Sequence, residues 1–96
     1  MRINLNNQEY LIGVKLFDDS DVASDYKGKQ VNVSGNNLDI KAKIYDDEPC
    51  LYVIEIGGEQ AEAKAVIKQV AEKFGCREIK ILTPNSPTGY EPMQWQ

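Results

Sequence analysis

At 96 residues with 42% apolar side chains, the chain has the length of one domain and can build one modest core, which excludes a second independent unit. Fifteen acids against eleven bases leave a net charge of −4, which argues against nonspecific adhesion to phosphate backbones or anionic membranes. No run approaches the roughly 18 consecutive apolar residues of a membrane-spanning helix, and the N-terminus lacks a basic patch leading into an apolar signal core, so a cytoplasmic location with no membrane partner is expected.

The chain contains no histidine. That removes the commonest general base, the usual activator of a serine or cysteine nucleophile and the commonest zinc ligand. Two cysteines, Cys50 and Cys76, are too few for a disulfide scaffold and too far apart for a Cys-x-x-Cys site. They are expected to be small buried thiols.

In chain order, Arg2 to Leu5 alternates, and Asn6-Asn7 supplies residues that tolerate left-handed turn geometry. Glu9 to Phe17 then places Tyr10, Ile12, Val14 and Leu16 on one face and the mixed set Leu11, Gly13, Lys15 and Phe17 on the other. The two runs form a hairpin, and Gly13 points to a bulge or close packing from a neighbour. Residues 18 to 29 break the alternation, hold four aspartates and read as a loop. Gln30 to Ser34 and Leu38 to Tyr45 flank the turn residues Gly35-Asn36-Asn37 and predict a second hairpin with one wet face.

The short connection Asp46-Asp47-Glu48-Pro49 leads into Cys50 to Ile56, an almost continuous apolar run that reads as a central strand contacted from both sides. After Gly57-Gly58, Ala63, Val66, Ile67, Val70, Ala71 and Phe74 recur at helical spacing, which predicts a helix over 59 to 74. Gly75 is placed to end it in a left-handed conformation. Arg77 to Thr83 is a last strand, and a strand, helix, strand sequence makes a right-handed crossover with the two strands parallel. The predicted fold class is α+β: an antiparallel meander of four to five strands, packed by one amphipathic helix and followed by a last strand in a mixed sheet. Residues 1–84 form the domain and 85–96 a Pro-containing tail.

Several stretches are candidate sites. Gly57-Gly58 before the helix could offer backbone N–H groups to a phosphate, but the spacing matches neither glycine-rich phosphate motif, and Glu59 and Glu62 would repel an anion. Asp19, Asp21 and Asp25 suit a hard cation, yet an EF-hand loop started at Asp19 needs glycine and glutamate where this chain has Ser24 and Gln30. No catalytic residue, metal or cofactor is therefore expected. The two acidic loops, Asp18, Asp19, Asp21 and Asp25 in one and Asp46, Asp47 and Glu48 in the other, would form a patch for a basic surface if they converge. Tyr90, Met93 and Trp95 in the tail are residue types enriched at interface hot spots.

These ten residues are the expected partner-binding set of a small acidic non-enzymatic protein-binding module. An inhibitor or immunity-type role fits, occupying a basic surface of another protein, with nucleic-acid-binding surfaces among those it could take. The alternative is a structural or assembly subunit, a homo-oligomer joined through a sheet edge or the tail. Direct nucleic-acid binding is disfavoured by the net charge, although Lys15, Lys27, Lys29, Lys41 and Lys43 could gather on one sheet face.

Overall fold

The computed structural model describes residues 1–18, 27–83 and 89–93. The chain is α+β, with strands β1 (Arg2–Leu5), β2 (Gln8–Asp18), β3 (Lys27–Gly35), β4 (Leu38–Tyr45) and β5 (Cys50–Gly57), helix α1 (Gln60–Lys73), and strands β6 (Glu78–Leu82) and β7 (Tyr90–Pro92). All seven strands form one sheet in sequence order. Every neighbouring pair is antiparallel except β5 and β6, which the helix joins as parallel strands.

Local chemistry sets the turns. Asn6 and Asn7 have φ of 50° and 65°, and Asn36 and Asn37 have φ of 48° and 64°. Two consecutive left-handed residues make the type I′ turn, whose twist matches that of the strands it joins. At the helix start, the Glu59 carboxylate accepts the N–H groups of Ala61 (3.0 Å) and Glu62 (2.8 Å), so Glu59 is the N-cap and not part of the first turn. At the other end Gly75 has φ of 72°. The Gly75 N–H donates to Glu72 O and the Cys76 N–H to Ala71 O, the paired bonds of a Schellman motif.

The core lies between one sheet face and the helix. Tyr10, Ile12, Val31, Val33, Leu38, Ile40, Ala42, Ile44, Leu51, Val53 and Ile79 meet Ala63, Val66, Ile67, Val70 and Ala71. Tyr10, 1% exposed, donates its hydroxyl to Glu62 Oε1 at 2.6 Å, and Asn36 Nδ2 reaches the same oxygen at 2.5 Å. Those two bonds tie the first turn of the helix to β2 and to the β3–β4 turn.

The strands differ from the periodicity reading in three places. β3 begins at Lys27, inside the expected loop, because Lys27, Gly28 and Lys29 pair with β2, and Gly28 and Lys29 also with β4, although they carry no apolar alternation. β5 is a central strand, between β4 and β6, but among the described residues only its helix-side face is covered by another layer. Its register shifts opposite Lys41 and Ala42, leaving Ile54 as an extra residue, so Leu51, Val53 and Ile56 face the helix while Tyr52 and Glu55 face away. An ordinary alternation with one bulge thus imitated a continuous apolar run. Finally, Tyr90–Pro92 in the tail pairs with β6 as a seventh strand.

Truncating Ile67, which is 1% exposed, to alanine is expected to cost about 2–5 kcal/mol in urea unfolding. Leu16→Ala, at a side chain 77% exposed, is expected to shift stability by no more than about 0.5 kcal/mol.

Candidate functional site

The sheet face opposite the helix is covered by no other element among the described residues, and register places its side chains. Lys15 faces Gln30, Gln30 faces Lys43, Lys43 faces Tyr52, Tyr52 faces Lys80 and Lys80 faces Pro92. Cross-strand partners share a face, so one row across β2 to β7 carries three lysines and no acid. The next row holds Phe17, Gly28 and Tyr45.

Four aromatic rings cross this face as a ladder. Phe17 and Tyr45 lie 5.6 Å apart between ring centroids, Tyr45 and Tyr52 5.6 Å, and Tyr52 and Tyr90 5.2 Å, each pair edge-on, an arrangement the ring quadrupoles favour. Gly28 makes the first step possible. A Cβ there would collide with the Ile44 carbonyl and come within 3.0 Å of the Phe17 ring. Lys43 Nζ sits 5.2 Å from the Phe17 centroid and Lys80 Nζ 5.5 Å from that of Tyr52, so two of the lysines brace the ladder as cations over π-faces. All four rings are half-buried.

The acidic residues border one end of the ladder. Asp46, Asp47 and Glu48 are exposed in the β4–β5 turn, and the Asp46 N–H donates to Lys27 O at 2.9 Å. Asp18 closes β2 opposite Lys27, so the points where both acidic loops leave the sheet are one strand apart. Asp19, Asp21, Asp25 and Trp95 lie outside the described residues. Tyr52 donates its hydroxyl to Glu48 Oε2 at 2.6 Å, which links the acidic turn directly to the ladder. Beside it, between this turn and the C-terminal end of the helix, is a cleft of about 340 Å³ in which Lys29 Nζ lies 5.7 Å from the Phe74 centroid.

Of the tail residues, Tyr90 forms the last rung of the ladder, whereas Met93 packs against the core and its N–H donates to Ile79 O. The five lysines of the first half do not gather together. Lys15, Lys41 and Lys43 share the open face, with Lys41 paired to Glu55 at 3.3 Å, while Lys27 and Lys29 fall on the helix side by strand alternation. Lys80 takes their place. Phe17, Tyr45 and Tyr52 were the residues that periodicity passed over. Their signal was phase: each aromatic is spaced two residues from a polar or cysteine position of the outward face, not of the inward one.

The remaining chemistry is restrained. The Glu59 carboxylate occupies the place an anion would take at the helix N-terminus, and a Cβ on Gly58 would meet Asn37 O at 2.7 Å, so that glycine answers to packing. Cys50 and Cys76 are free and buried, and burial raises both thiols above their ordinary value, which keeps them protonated and weakly nucleophilic. Among the described residues no group of three or more metal-ligating side chains converges, and no helix is long and apolar enough to cross a membrane. No protein-family model, curated protein or solved structure matches this chain.

The hydrogen bond to Glu62 raises the Tyr10 phenol, helped by burial, and the bond to Glu48 does the same for Tyr52. Because the folded state holds these protons more tightly, their stabilisation is complete below the ordinary phenol value of 10.0 and is lost as pH rises above it. In an alkaline titration followed by phenolate absorbance, at least two of the five tyrosines are expected to ionise late, together with unfolding.

Proposed function

We propose that this chain is a non-enzymatic protein-binding module that works through the sheet face opposite its helix, in an inhibitor or immunity-type role against a partner with a basic surface. The observation that carries the reading is the ladder of Phe17, Tyr45, Tyr52 and Tyr90 lying half-exposed on an uncovered face. Tyrosine and phenylalanine fixed by their neighbours lose little side-chain entropy on association, which is why such rings serve as anchors.

The acidic turn Asp46-Asp47-Glu48 at the edge of the ladder supplies the long-range attraction. Charges at an interface rim act mainly on the encounter rate and its salt dependence. The lysine row then sets the pattern a partner must meet: basic groups toward the acidic turn, and neutral or acidic groups over the centre of the sheet. A uniform polyanion meets the row favourably but is repelled at the turn and by Asp39, Glu55 and Glu78 on the same face. The absence of histidine and the protonated state of both thiols support a binding role over a catalytic one.

The test is affinity capture from the native host cells with four baits, each shown to be folded at the temperature of capture. The wild type and a Lys64→Glu/Lys68→Glu variant on the exposed side of the helix are expected to recover the same partner protein. Asp46→Lys/Asp47→Lys is expected to reduce recovery at least tenfold and to flatten its dependence on salt, and Tyr45→Ala to reduce it at every salt concentration. Recovery that is insensitive to both changes on the ladder face, or lost only with the helix variant, would refute the proposal.

A further inference from the structure

Strand β2 is longer than the strand beside it. β1 pairs only as far as Leu11, and Met1 O accepts the Ile12 N–H at 2.8 Å. From Gly13 to Asp18 no strand among the described residues pairs with the outer side of β2. Backbone groups point to opposite sides on alternate residues, and Ile12 directs its N–H toward β1. Val14 and Leu16 therefore direct theirs into the same vacant edge.

Three further observations fall on this stretch. Leu16 is 77% exposed and Val14 43%, although both are in phase with the buried Tyr10 and Ile12. Gly13 has neither of the reasons a glycine in a strand usually has. Its register with Asn32 is unbroken, and a Cβ placed on it meets nothing within 4 Å. The edge carries a single device against pairing, Lys15. Between Gly13 and Phe17 there is no proline and no bulge, and Lys15 is the only charge.

We propose that two copies of this chain pair antiparallel along residues 13 to 17 about a two-fold axis at Lys15. A two-fold antiparallel pairing puts both helices on the same side of the joined sheet, so residues of like parity must face each other. Met1 closes the seam at Ile12. Centring on Leu16 would set Val14 against Asp18, whereas centring on Lys15 sets Val14 against Leu16 of the second copy, twice, with four main-chain hydrogen bonds. On the other face Phe17 lies over Gly13 of the second copy, where the missing side chain leaves room for a ring, as aromatic residues do for glycines across a sheet.

Lys15 faces its own copy across the axis. Like charges directly opposite weaken a pair, and salt screens them. The dimer is therefore strengthened by salt, and a seam of five residues places it among weak interfaces.

Sedimentation equilibrium of the full chain, from micromolar to submillimolar concentration and at low and high salt, tests this. A monomer–dimer equilibrium that tightens with salt is expected. Lys15→Thr is expected to tighten it about fivefold at low salt, and Leu16→Lys to abolish it. Gly13→Val is expected to weaken it while leaving the thermal midpoint of the dilute monomer unchanged or higher, since a β-branched side chain favours a strand. A wild type that stays monomeric at submillimolar concentration in high salt would overturn the proposal, as would a dimer that survives both Leu16→Lys and Gly13→Val.

Discussion

Among the described residues the helix is the only element that buries the sheet, and its size decides most of what they present. Fourteen residues span about 21 Å, while seven strands extend about 29 Å from first to last. The helix reaches from the β3–β4 turn, where Glu62 meets Tyr10 and Asn36, to Lys29 at the opposite end, where Phe74 lies. One corner of its own face, at Val14 and Leu16, is left beyond its reach, and no element among the described residues covers the second face.

A sheet face without a covering layer must be stabilised from within the sheet. Here that is done by contacts between side chains on different strands. The aromatic rings meet edge to face across β2, β4, β5 and β7, two lysine ammoniums lie over rings, and Glu48 fixes the phenol of Tyr52. Cys50 shares this face by alternation and is still only 1% exposed. The same contacts that hold the rings in place leave part of each exposed, so stability and a preorganised contact surface come from one set of residues.

Much of the fold was legible because it rests on period. Strand alternation, the Asn-Asn turns and the apolar stripe from Ala63 to Phe74 are local signals, and each led to the right element. The start of β3 was not legible, because Lys27 to Lys29 join the sheet through main-chain pairing with β2, and from Gly28 onward with β4, and not through any apolar pattern. The bulge at Ile54 was hidden for a related reason: one extra residue in a strand leaves composition unchanged while reversing the faces after it. The candidate site was less legible still. The acidic loops stand out in the sequence as charge runs, but the ladder joins residues 17, 45, 52 and 90, and only the order of strands makes them neighbours. Glu59 was misplaced because its charge suits both the first turn and the cap, and only the direction of its carboxylate distinguishes them.

Strand order that follows chain order has a consequence for how the molecule is made. Five strands can zip together hairpin by hairpin as they leave the ribosome, each contact closing a short loop, which is the kind of topology that folds quickly. The helix that shields them comes only afterwards. Until about the last quarter of the chain has emerged, the nascent sheet displays Ile12, Val31, Val33, Ile40 and Leu51 with nothing over them. That interval, more than any weakness in the finished domain, is when the chain is open to aggregation or to capture by a chaperone.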